Sequence, residues 1–206
     1  MFRTTIVISA IIFAELFISA FFISDKWYAD QLTYEHMSMK HLLGENLTYD
    51  VYKETKHVFT VFFVDTGVRE SSLRLLDNYV HYTHSNEGFI HSIIEWYKTR
   101  INVIWFYIYQ VIERSLVLAL WLPYAIPLFL AAIVDGMVRR KIKKHSYGYT
   151  SPVIYHTSTR VMFILAFFPL IYLLVPTALP AIVSPVWLLV MAFFLQNLFS
   201  NIQKHI

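Results

Sequence analysis

The sequence predicts an all-α integral membrane protein: four transmembrane helices, with a helical periplasmic region between the first and the second. Three observations lead there. The 206 residues are 57% apolar and 17% aromatic, with only five glycines, and the apolar residues are bunched rather than periodic. Four runs approach the roughly 20 apolar residues that a bilayer core requires. Positive charge is concentrated in one short segment between two of those runs.

The first run, Ile6 to Ser24, is interrupted only by Glu15. Its basic start and small residues near Ser24 are shared with signal peptides, but Glu15 splits the apolar core, so 1–24 reads as a retained anchor. Residues 25–112 form the periplasmic, mostly helical region. Lys26 to Leu43 has apolar residues consistent with a short helix ended by Gly44, and "GENLTYD" reads as a loop. "HVFTVFFV" (57–64) has strand-like composition but no partner strand, which favours a helix. Ser71 to Tyr82 carries Leu73, Leu76 and Val80 at helical spacing, broken by Asn86-Glu87-Gly88.

From Phe89 a wide apolar stripe continues into the second run, predicting one helix to about Val134 with Trp96 and Trp105 near the interface. Pro123 and Pro127 should bend it. Ser115–Val134, Val161–Leu179 and Ile182–Ser200 are free of charge. Residues 113–206 thus form a three-span membrane domain with a basic cytoplasmic loop at 136–160, and "PTALPAIVSP" is the rigid turn of the last hairpin.

Topology follows from charge. Asp25 to Arg100 holds eleven acidic and eight basic residues, whereas Gly136 to Arg160 holds six basic residues (Arg139, Arg140, Lys141, Lys143, Lys144, Arg160) and no acidic one. Lys and Arg in short loops stay in the cytoplasm. Both termini are then cytoplasmic, in a multi-pass protein of the bacterial inner membrane. Without cysteine, the chain has no disulfide, no thiolate-bound metal and no thiol nucleophile.

Candidate chemistry is sparse. Glu15, within a span, costs about 2.5–3.5 kcal/mol if it faces lipid, so it should face protein. It reads either as a packing residue or as the intramembrane charge of a small channel or transporter subunit, and Arg114 is its partner if their depths match. His81, His84, His91 and Glu95 would share an arc of roughly 80° on a continuous helix, the ingredients of a weak metal site. The break at Asn86-Glu87-Gly88 argues against that alignment, and no metal or other cofactor is assigned. The basic segment suffices as a topology signal and suits anionic lipid headgroups, at about 1 kcal/mol per basic residue. Its tyrosines could stack on bases, but no nucleic-acid-binding fold accompanies them, so direct nucleic-acid binding is not expected. Tyr155-His156 with Ser151 has no carboxylate nearby to orient it. No catalytic residue is assigned, and the chain is not expected to be an enzyme.

The order of residues in "DGMVRRKIKKHSYGYTSPVIYHTSTR", followed by "FFPLIYLLVP" and "LPAIVSP", resembles a family of inner-membrane proteins of integrating conjugative elements and conjugative plasmids. The matching positions are Asp135, Gly136, Arg140, Gly148, Ser151, Tyr155, His156, Arg160, Tyr172, Leu173 and Pro176, with "QKHI" at the basic tail. The resemblance covers roughly Leu116 to Ile206. The usual histidine of the last hairpin turn is replaced by Ser184 or is missing. The resemblance implies an accessory or scaffold subunit of a conjugative type IV secretion system, encoded alongside the coupling ATPase and partnering it or other membrane subunits during DNA transfer. It implies no enzymatic activity. Asp135 would pair with Arg139 or Arg160, and Tyr155 and His156 would hydrogen-bond across the turn. Homo-oligomers are compatible with so aromatic a set of spans.

Overall fold

The computed structural model describes residues 24–74, 88–146 and 151–202. Among them every regular element is helical, and there is no strand. Helix α1 (Asp25–Phe59) is capped by Ser24, whose hydroxyl accepts the Trp27 N–H. It continues into a π-helical turn, Thr60–Val64, and after a reversal at Gly67 helical turns resume over 68–74. Helix α2 (Gly88–His145) is 58 residues long and continues through Pro123 and Pro127. Helices α3 (Pro152–Leu174) and α4 (Val183–Ser200) follow. The Glu95–His145 part of α2, all of α3 and all of α4 are long and apolar enough to cross a membrane. The expected first span and Glu15 lie outside the described residues.

Two expectations need correction. "GENLTYD" is not a loop: α1 breaks at Gly44 alone, at φ 81°, and the helix resumes at once. That backbone conformation favours glycine, and Thr48 Oγ1 donates to the freed Gly44 carbonyl at 2.7 Å. Nor is 136–160 a loop throughout, because α2 extends to His145 and α3 begins at Pro152. Hydropathy falls at Asp135, but Lys and Arg are good helix formers and their charge suits a helix C-terminus. The 57–64 segment is helical, as expected.

The chain forms two compact units. The first comprises residues up to Leu116 together with Tyr172–Ala181. Its aromatic centre is Phe59, Phe63, Trp105 and Tyr109, in edge-to-face or tilted contacts of 5.5–6.0 Å between ring centroids. Trp105 is buried there and donates to Ser72 Oγ at 3.2 Å, whereas Trp96 is exposed.

The second unit comprises Val117–Ile171 and Ile182–Ile206. Here α2 and α4 approach until a Cβ on Gly136 would stand 2.7 Å from the Gln196 carbonyl oxygen and 2.8 Å from Phe199 Cβ. Only glycine fits, a small-residue contact of the kind that packs helices in bilayers. Between α3 and α4, Pro169 cannot supply the N–H that the Leu165 carbonyl would receive in an unbroken helix. That carbonyl instead accepts Trp187 Nε1 at 3.0 Å, and the Trp187 ring stacks on Phe168, 5.6 Å between centroids. Trp187→Phe should therefore cost about 1–3 kcal/mol by orphaning a buried carbonyl. In a Pro169→Ala background, where the backbone N–H is restored, the same substitution should cost much less. A double-mutant cycle of unfolding in detergent would check this, and additive penalties would refute it.

Candidate functional site

Unit one is organised around a buried guanidinium. Glu113 and Arg114 stand where α2 approaches its charge-free run, each with at most 2% of its surface exposed. On α1, Gln31, Glu35 and Ser38 follow Tyr28 at helical spacing and share one face. The third partner is the segment 172–181, whose prolines at 176 and 180 cannot donate and whose remaining backbone groups need partners once buried.

Arg114 meets that need. It donates to the carbonyls of Tyr172 at 2.7 Å and Thr177 at 2.6 Å, and to that of Val175. Its Nε donates to Glu35 Oε1 at 3.0 Å, and one terminal nitrogen closes the ion pair with the same carboxylate. The guanidinium lies 5.5 Å from the centroid of the Tyr172 ring. The N–H groups of the turn go the other way, to α1. Ala178 donates to Gln31 Oε1 at 2.8 Å, Leu179 to Glu35 Oε1 at 2.9 Å and Ala181 to Ser38 Oγ at 2.8 Å. Tyr107 Oη donates to the Leu174 carbonyl at 2.7 Å. Carbonyls bonded from α2 and N–H groups bonded to α1 fix the turn from both sides.

Beside this clasp, His36 Nε2 lies 2.6 Å from Glu113 Oε1. Contact with the Glu113 carboxylate, and then its charge, raises the imidazole pKa above the ordinary 6.5, with burial opposing and Glu35 adding to the rise. His36, Tyr109, Trp105, Phe59, Tyr52 and Lys56 are among the residues lining an open groove of about 720 Å³.

The residues singled out from sequence lie elsewhere. Asp135 pairs with Arg139 at 2.8 Å, one turn on. Its other contact is the Gln196 amide of α4 rather than Arg160, which is exposed. Lys143 donates to Ser200 Oγ at 3.1 Å and Asn201 Oδ1 at 3.0 Å, while the Ser151 N–H reaches the same Asn201 oxygen at 3.4 Å. Asn201 thus ties together the end of α2, the start of α3 and the end of α4. Ser151 is the N-cap of α3, its hydroxyl accepting the Ile154 N–H at 3.3 Å, with Pro152 as the first helical residue. The Tyr155 and His156 rings contact each other edge to face, at 5.6 Å between centroids. Arg139, Lys141 and Lys144 are exposed and Arg140 is half-exposed. Gly148 lies outside the described residues.

Of the metal candidates, His81 and His84 also lie outside the described residues, as does the His91 side chain, and Glu95 is exposed. No group of three metal-ligating side chains occurs among the described residues. Arg114, expected as a partner for Glu15, is taken by Glu35 and the turn. Gln31, Glu35 and Ser38 escaped the sequence reading. Their signal was polar residues at helical spacing on the face that also carries the buried Tyr28 and Met39.

Fold and site together define an all-helical protein with three membrane-capable helices and a buried arginine clasp. Residues 24–203 match the family model described as IncC plasmid conjugative DNA transfer protein DtrJ-like. The chain belongs to that family, which agrees with the resemblance to conjugation-associated proteins. No curated protein and no solved structure matches it.

Arg114→Met should destabilise the protein by about 3–5 kcal/mol, because it strands a buried carboxylate. Adding Glu35→Leu should recover only part of that loss, since the Tyr172, Val175 and Thr177 carbonyls stay orphaned; full recovery in detergent unfolding would mean that the ion pair alone matters. Because the folded-state pKa of His36 is raised, its contribution is complete below about pH 6.5 and is lost as pH climbs through that raised value. Thermal stability should thus fall between about pH 6.5 and pH 8.5, and His36→Ala should flatten that part of the profile.

Proposed function

We propose that this chain is an accessory or scaffold subunit of a conjugative type IV secretion apparatus in the bacterial inner membrane, and that it partners the coupling ATPase during DNA transfer. The observation carrying this reading is the family match over residues 24–203. The role is that of a docking protein, and no chemical step is assigned to it. Its spans recognise the partner's transmembrane helices by close packing and interhelical polar contacts.

The cationic end of α2 is the second docking element. Lys143 is committed to Ser200 and Asn201, while Arg139, Arg140, Lys141 and Lys144 project from the same helical turns. A helical base presents these charges in a fixed array, so less side-chain and backbone entropy is lost on binding than with a loose loop. The positive-inside rule puts this array in the cytoplasm, where it would meet the cytoplasmic part of the ATPase, its substrate complex or anionic lipid. The turn at 172–181 is held against residues 31–38 within one unit, which supports a topology with both on the opposite, periplasmic side.

Replacing Arg139, Arg140 and Lys141 with Glu should lower recovery of the coupling ATPase about tenfold in a gentle detergent pull-down from donor cells. Abundance and membrane insertion should hold, because only the exposed Arg139–Asp135 pair is lost, worth at most about 1 kcal/mol. Unchanged recovery at normal expression would remove the basic array from the interface.

A further inference from the structure

The open groove beside the clasp has a chemistry that the docking role does not use. Its lining includes Phe59, Trp105, Phe106, Tyr109 and Tyr52, and among its eleven residues are Lys56, Arg69 and His36 but no Asp or Glu. That balance opposes the surroundings, since residues 25–100 carry more acidic than basic side chains. Lys56 and Arg69 are exposed, and the Arg69 guanidinium sits 6.0 Å from the centroid of the Phe59 ring. Glu113 stands next to His36 but is not part of the lining. The Tyr109 hydroxyl is buried with no hydrogen-bond partner, which is costly unless something at the site accepts its proton.

Position narrows the ligand. Tyr109 and Phe106 precede Ser115, where the charge-free run begins, by six and nine residues, about 9 and 14 Å along a helix axis. That is the depth at which a bilayer's headgroup layer gives way to water. An aromatic wall running toward hydrocarbon, with cations at its rim, matches an amphiphile bearing a negative head and an apolar tail.

We propose that this groove is a binding site for an anionic phospholipid. The phosphate sits among Lys56, Arg69 and His36, a phosphate or ester oxygen accepts the Tyr109 hydroxyl, and an acyl chain lies along Phe59, Trp105 and Phe106. The site is separate from the cationic end of α2 and does not depend on any ATPase partner, although it rests on the chain's lying in a membrane.

The full-length protein in phosphatidylcholine nanodiscs doped with a photoactivatable phosphatidylglycerol tests this. Crosslinks should map to residues 102–109 or 52–59. The pair Lys56→Gln and Arg69→Gln should reduce them on the order of thirtyfold, at about 1 kcal/mol per basic residue, while Lys53→Gln, exposed on the same helix but outside the lining, should leave them unchanged. Tyr109→Phe, which keeps the ring, should reduce them severalfold. Crosslinks confined to Arg139–Lys144, equal labelling in all variants, or a co-purifying polypeptide that protects the groove from label would each overturn the proposal. A failed ATPase pull-down would leave this result standing.

Discussion

The Arg114 guanidinium is the interaction on which the first unit depends. A cation this deeply buried is tolerated only where its donors are saturated, and here they reach one carboxylate and three backbone carbonyls. Lysine would not substitute, since a compact ammonium lacks the planar fork that reaches several acceptors at fixed angles. The demand is reciprocal. A turn with two prolines has fewer N–H groups than carbonyls, and arginine, with five donors and no acceptor, offsets that imbalance.

Backbone left unsatisfied by proline recurs as an organising constraint in the second unit. Pro169 frees the Leu165 carbonyl, and Trp187 takes it. In hydrocarbon no water is present to do so, so each proline in a membrane helix specifies a neighbour. Close packing at Gly136 and the amide of Gln196 on Asp135 hold α2 to α4. Lys143 and Asn201 then secure the polar end, where α2, α3 and α4 finish or begin.

Much of the fold was legible because burial in lipid writes itself as uninterrupted apolar runs. Helices α2, α3 and α4 follow those runs, and Gly44 and the prolines marked their places. Helix ends were less legible. A single residue at φ 81° interrupts α1, yet the sequence "GENLTYD" resembles a longer loop because Gly and Asn both favour turns. The charged end of α2 looked like a loop because hydropathy distinguishes lipid from water, not helix from coil. The clasp was nearly illegible, since its atoms come from positions up to 147 residues apart, and half of its contacts are to backbone, which leaves no trace in residue identity. The motif residues that were read correctly as a group, Asp135, Gly136, Ser151 and Tyr172, have individual roles in capping, packing and ring contact that spacing alone does not reveal.

The clasp also carries a consequence for the order in which the protein can be made. Glu35 is synthesised early, Arg114 near the middle, and the Pro176–Pro180 turn only once most of the chain has left the ribosome. Two charges that cannot rest unpaired in a dry interior must therefore wait in contact with water until the final hairpin threads through the bilayer. Closure of the first unit becomes a report that the last spans have arrived, so a chain truncated before residue 181 is left with its arginine and glutamate unsealed, a mark that quality-control proteases can read.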